Sequence, residues 1–170
     1  MLVNGCTGGF GLMALQFARM AGASVAGVCS TDALGVAADY GADPVIDFLT
    51  HHVTDLPARY DVILELSGKL PFDQASQILT DQGTYIDVAP SPASIVGNTI
   101  ANPLRHHKHK LLLSKAHTDD LARIASLVDS DALRPPPLQI FAFEEFAAAY
   151  RAAESGSVIG KIVIQVSADS

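Results

Sequence analysis

Apolar residues fall along this chain in short runs divided by turn residues, and the runs alternate between two periods. MLVN (1–4), ASVAGVCS (23–30), DPVIDF (43–48), YDVILELSG (60–68) and GTYIDVAP (83–90) are rich in β-branched and apolar residues and predict strands. Within them VILEL and VAGVC are apolar at nearly every position, as expected for parallel strands covered on both faces. Between the strands, FGLMALQFARMAG (10–22), LGVAADYG (34–41) and PFDQASQIL (71–79) carry helical spacing; Gly22 stops the first and Pro71 opens the third. Strand and helix in strict alternation predict an α/β fold: βαβ units, right-handed crossovers and a parallel sheet between helical layers.

After residue 90 the pattern loosens. SPASIVGNTIANPLRHH (91–107) reads as an irregular connection and KLLLSKA (110–116) as a sixth strand. TDDLARIASLVDSD (118–131) predicts a helix capped by Thr118, with Asp119 and Asp120 at the positive end of its dipole. The run Pro135 to Pro137 must be extended and marks the expected boundary, dividing the chain into 1–134 and 135–170. Beyond it, FEEFAAAYRAAES (143–155) predicts a helix closed by Gly156, and GKIVIQV (160–166) a last strand.

Composition narrows what such a fold can be. At 170 residues, 49% hydrophobic and 17% charged, the chain should fold, yet it is too short for a cofactor domain joined to a full-sized substrate domain. Two cysteines, Cys6 and Cys29, make no disulfide framework and no Cys-x-x-Cys zinc site. No leader or membrane-spanning run is visible, so the cytosol is the expected compartment. The net charge of −7 resides entirely in residues 1–104, where Arg19, Arg59 and Lys69 face ten acids. The one basic cluster, RHHKHK at 105–110, lacks interleaved aromatics, which argues against nucleic acid. Residues 1–31 contain no Asp or Glu, so an anion approaching the N-terminal turn meets no carboxylate close in sequence.

That turn carries the chemistry. In Asn4-Gly5-Cys6-Thr7-Gly8-Gly9-Phe10-Gly11, Gly5 lets the chain leave the strand sharply, Gly8 and Gly9 admit an anion to backbone N–H groups, and Gly11 lets the helix pack closely. A pyrophosphate there would meet the free N–H groups and positive end of the first helix. The alternative is a glycine turn serving packing alone. Competing nucleotide readings fail on residues: no Gly-Lys-Ser/Thr is present, and neither Tyr40, Tyr60, Tyr85 nor Tyr150 has a lysine four positions on. MLVNG also lacks the acid that usually leads into a methyltransferase loop.

In order, NGCTGGFGLMALQFARMAGASVAGVCST, GADPVID, YDVILELSG, GTYIDVAP, LARIASLVDSDALRP and FEEFAAAYRAAESGSVIGKIVI resemble the cofactor-binding half of the zeta-crystallin-like quinone oxidoreductases. These form the zinc-independent branch of the medium-chain dehydrogenase/reductase superfamily. The resemblance spans essentially the whole chain. It implies a Rossmann doubly wound domain that binds NADP or NAD, needs no zinc, reduces quinones, enones or related carbonyl compounds by hydride transfer, and often forms homodimers. It also implies that residues 135–170 pack on an N-terminal catalytic domain, supplied by the same or another chain.

Carried over by position, Gly5, Gly8, Gly9, Phe10 and Gly11 fall on the family's pyrophosphate loop, and Ser30 and Thr31 on the adenosine ribose site. Leu66, Val88 and Ala89 fall on turns lining the cofactor. Two departures bear on NADP: Asp32 follows Ser-Thr where many relatives carry Arg or Lys, and Phe48 stands where some carry a phosphate-binding Tyr. Asp32 would repel a 2′-phosphate or, alternatively, cap the next helix and point away. Other polar residues draw structural readings: HHKHK a solvated loop, Cys6 and Cys29 buried thiols, Glu65 and Asp87 hydrogen-bonding roles, Lys115 none. The function expected is a nicotinamide-dinucleotide domain of an oxidoreductase; the alternative is a non-catalytic binding module or a truncated, inactive fragment.

Overall fold

The computed structural model describes residues 1–88, 107–112, 117–156 and 158–166. Six strands form one parallel sheet: β1 (Leu2–Asn4), β2 (Ala26–Cys29), β3 (Val45–Asp47), β4 (Tyr60–Glu65), β5 (Leu79–Asp87) and β6 (Lys108–Leu111), in the spatial order β3-β2-β1-β4-β5-β6. The order reverses direction between β1 and β4, and that switch point opens a crevice at the strands' carboxyl ends. Strand parity covers both faces. Leu2, Val28 and Ile63 enter one core cluster, while Val3, Cys29 and Leu64 enter another with Leu12 and Leu15 of α1 (Gly9–Met20) and Ala37 of α2 (Leu34–Asp39). On the opposite face, Ala75 of the short α3 (Phe72–Ala75) packs with Leu2 and Ile63.

The expected elements are present with shifted bounds. The third helix is one α-helical turn followed by a 3-10 turn over Ser76–Ile78, and β5 begins four residues before the expected Gly83. β6 starts at Lys108, so 108–110 of that cluster are strand and not a solvated loop. Lys108 and Lys110 face outward, but His109 is buried, stacked on Phe72 at 4.9 Å and 3.8 Å from Asp87. Alternation along an edge strand turned that ring inward. The helix α4 (Thr118–Asp129) is capped by His117, not Thr118, which is its first residue.

Leu138–Ala142, unrecognised behind the prolines, is a strand, β7, pairing in parallel with β8 (Lys161–Gln165) across the helix α5 (Phe146–Ser155). The segment before it is anchored: Gln16 bonds the backbone N–H and carbonyl of Arg134, and Tyr40 donates to the carbonyl of Pro135 at 2.7 Å. Gly156 closes α5 at φ +67 as the sequence predicts. Leu138, Ile140 and Val163 share one exposed face of the small sheet, and Phe146 and Tyr150 of α5 are exposed as well. The segment 91–106, Lys115 and Ala89 lie outside the described residues.

Candidate functional site

The β1–α1 turn is built around backbone contacts. Gly5 takes φ +81, which an L side chain rarely adopts, and its N–H and that of Cys6 both donate to the Val28 carbonyl at 3.1 Å. A Cβ on Gly11 would stand 2.5 Å from the Gly5 oxygen and 2.6 Å from the Cys6 carbonyl, so the helix lies directly on its own turn. Gly8 differs. A Cβ there would meet only the Gly5 oxygen at 3.9 Å, so packing does not require glycine at that position. Gly8 is also the N-cap of α1, with no capping side chain and no acid in the first turn, and the helix presents its N–H groups uncapped. Open backbone at Gly8 and the helix dipole suit an anionic group, while Gly160 pairs with Gly8 in a parallel bridge at the edge of the same turn.

Gly9 behaves otherwise than expected. A Cβ there would lie 2.4 Å from Cγ of Lys161, whose stem crosses the loop. Gly160 donates to the Thr7 carbonyl at 2.9 Å, so the start of β8 is stitched to the turn. Any side chain at position 9 would displace the Lys161 stem, so the space above Gly9 is taken by that lysine.

Beneath the turn, Glu65 ends β4 and is almost wholly buried. It accepts hydrogen bonds from Asn4 Nδ2 at 2.6 Å, the Ser67 N–H and hydroxyl at 2.7 Å, and the Gly68 N–H at 2.6 Å. Asn4 also donates to the Ser67 hydroxyl at 2.9 Å. The carboxylate therefore joins the end of β1 to the β4 turn, the structural role expected for it. At the end of β2, the Ser30 hydroxyl donates to Asp32 and the Thr31 hydroxyl to Asp47, while Asp47 also accepts the Leu49 N–H at 2.9 Å.

These turns enclose a cleft of about 570 Å³. Among the described residues no carboxylate lines it, whereas Lys69, His51 and His52 do, a balance suited to an anionic occupant. Of the expected residues, Gly5, Gly8, Ser30 and Leu66 line the cleft. Gly9, Phe10, Gly11 and Thr31 stand beside it rather than on its wall, with Phe10 55% exposed. Val88 packs half-buried in the α1-side core. Phe48, marked in the sequence as a departure from the family pattern, also lines the cleft; sequence reasoning missed His51 to Thr54, Ser67, Lys69 and Leu70, and the C-terminal contribution of Ser155, Gly156 and Val158. The last had a signal: the glycines bracketing 156–160 mark a turn ahead of a strand.

Cys6 and Cys29 are both buried and free, as expected. Interaction with Cys29, followed by burial, pushes the Cys6 thiol up, and the same interaction lowers Cys29. Among the described residues no group of three or more His, Cys, Asp or Glu could hold a metal ion. Among the same residues no helix is long and apolar enough to cross a membrane.

Fold and cleft define the class: a doubly wound α/β domain with a nucleotide crevice at its switch point. A family model described as zinc-binding dehydrogenase matches residues 40–164, and the chain belongs to that family. Within it, the chain is the cofactor-binding portion of the quinone-oxidoreductase-like medium-chain dehydrogenases/reductases, an NAD(P)-binding family. The metal in the family's description finds no donor set among the described residues, and no chemical step is routed through one. The chain is 25% identical over 171 residues to the chloroplastic quinone-oxidoreductase QR1 of Triphysaria versicolor, covering 97% of this chain and 52% of that protein. It is 29% identical over 188 residues to the human mitochondrial NAD(P)H oxidoreductase RTN4IP1, covering 98% and 48%. The quinone oxidoreductase from Coxiella burnetii superposes with a TM-score of 0.83 at 24% identity, covering 98% and 52%, a likeness of fold. The chain thus spans about half the length of these relatives. Two of their names place them in organelles, which lends the expected cytosolic location no support.

Proposed function

We propose that this chain holds NADPH or NADH in the cleft and is the cofactor half of a reductase that passes hydride to a quinone, enone or related carbonyl substrate. The bound cofactor would supply the hydride. The chain's own part is to bind and orient it: Gly5, Gly8, Gly9, Phe10 and Gly11 around the pyrophosphate, Ser30 and Thr31 at the ribose, Leu66 and Val88 toward the nicotinamide. The carrying observation is a cleft lined by no carboxylate among the described residues and ending on a helix with no capping side chain, with open backbone at Gly8. Calorimetric titration with NADH and NADPH tests it. Saturable one-to-one binding of either supports the reading, and no heat from both defeats it.

The exposed apolar residues of this unit, Leu138, Ile140 and Val163 on the small sheet and Phe146 and Tyr150 on α5, are those we assign to contact with the substrate domain of such a reductase, taking residues 135–170 as the docking unit. Large apolar side chains this exposed favour a protein contact. The 170-residue chain is expected to enhance the fluorescence of an apolar-surface dye, and Ile140→Lys with Phe146→Lys to cut that enhancement at least threefold. An unchanged signal would place the sticky surface elsewhere.

A further inference from the structure

Resting on the reading that the cleft holds a nicotinamide dinucleotide, we infer that Oδ1 of Asn4 accepts a hydrogen bond from a hydroxyl of the nicotinamide-side ribose. Asn4 is the last residue of β1, between Val28 of β2 and Glu65 of β4, and it lines the cleft although only 7% exposed. Both of its amide protons are committed. Nδ2 donates to Glu65 Oε2 at 2.6 Å and to the Ser67 hydroxyl at 2.9 Å. Glu65 accepts at both oxygens, so turning the amide over would set oxygen against oxygen. The Ser67 hydroxyl is used up as well: it gives its proton to Glu65 and accepts from Asn4 and from the Lys69 N–H at 3.1 Å. Oδ1 of Asn4 receives no hydrogen bond from the described residues and stays reachable from the cleft. A side chain more than nine-tenths buried thus keeps one open position, and it is an acceptor.

An amide oxygen offers nothing to a phosphate, so the ligand must bring an O–H or N–H to it. The order of groups along a dinucleotide decides which. With the pyrophosphate over Gly5 and Gly8, the next group on either side is a ribose, and the nicotinamide carboxamide and the adenine amine lie one ring further out. Asn4 adjoins Gly5 in the chain, so a ribose is the group within its reach. The Asn4 amide is turned toward Glu65 and Ser67 at the end of β4, away from Ser30 at the end of β2 where the adenosine ribose is placed. The partner is therefore the ribose on the nicotinamide side. Its hydroxyl fills the open position on Oδ1 and ties the reducing half of the cofactor to the end of β1, beside Leu66.

The test is a cycle on the full chain, read by calorimetry: NADH against its analogue lacking both hydroxyls of the nicotinamide-side ribose, each with the wild-type protein and with Asn4→Ala. The wild type is expected to bind NADH about tenfold more tightly than the analogue, and Asn4→Ala to bind the two within about twofold of each other. Each ratio compares two ligands on one protein, so a general loosening of the turn by the substitution cancels. A second readout needs no variant. The side-chain amide resonances of Asn4 in the labelled wild type should shift on titration with NADH and hold still with the analogue. Equal binding of the two ligands by the wild type, a preference for NADH that persists in Asn4→Ala, or Asn4 resonances that move alike with both would overturn the inference and leave the dinucleotide reading standing. Binding of neither ligand would overturn both.

Discussion

Replacing Glu65 by alanine is expected to lower the stability of this protein by about 4 kcal/mol, because four donors lose their acceptor at once. The Asn4 amide, the Ser67 N–H and hydroxyl and the Gly68 N–H all end on that one buried carboxylate. Each hydrogen bond contributes about 1 kcal/mol net, and the Asn4 amide is left where little water reaches it, whereas Ser67 and Gly68 are exposed. A domain of this size has about 5–15 kcal/mol in total, so the loss is a large share of it. Urea unfolding should show it as a lower midpoint with an unchanged slope. Glu65→Gln, which keeps one oxygen, should lose about half as much. A loss under about 1 kcal/mol for the alanine variant would mean that the β4 turn is held by something else.

Gly11→Ala is expected to be as damaging for a different reason. The added methyl would stand 2.5 to 2.6 Å from backbone atoms of Gly5 and Cys6, and backbone in a turn fixed at φ +81 has nowhere to move. Overpacking of this kind costs about 1–3 kcal/mol, and shifting the loop off the helix end should weaken dinucleotide binding more than tenfold. Gly8→Ala is the informative partner. Its methyl meets only one protein atom, at 3.9 Å, so stability should change by less than about 1 kcal/mol while nucleotide affinity falls, since the space belongs to the ligand. Equal destabilisation by both variants would show that the glycine string serves packing alone.

The parts of the fold legible in the sequence are those written in local pattern. Runs such as VILEL read as doubly covered strands because parallel strands bury both faces, and they form the centre of the sheet. β7 was hidden because LRPPPLQI announces its break louder than its strand, and three prolines carry no periodicity. His109 was misread because a histidine among lysines looks solvated until edge-strand alternation turns it inward against Phe72. In the site, the glycine turn declared itself, but the walls did not. Phe48, Lys69 and Val158 are far apart in the chain and meet only because β3, β4 and the α5–β8 turn end at one rim. The sequence left the orientation of Asp32 open between capping and facing the ribose. The side chain accepts the Ser30 hydroxyl and supplies no cap hydrogen bond to the helix that follows.

The central claim is that the cleft at the carboxyl ends of β1, β2 and β4 is the dinucleotide site. Amide chemical-shift mapping of the isotope-labelled chain on titration with NADH tests it most directly. Saturable shifts should cluster at Gly5 to Gly11, Ser30, Leu66 to Lys69 and Gly156 to Val158, the last of which lies 145 residues beyond Gly11. Shifts confined to other surfaces, or none at millimolar NADH, would contradict the account.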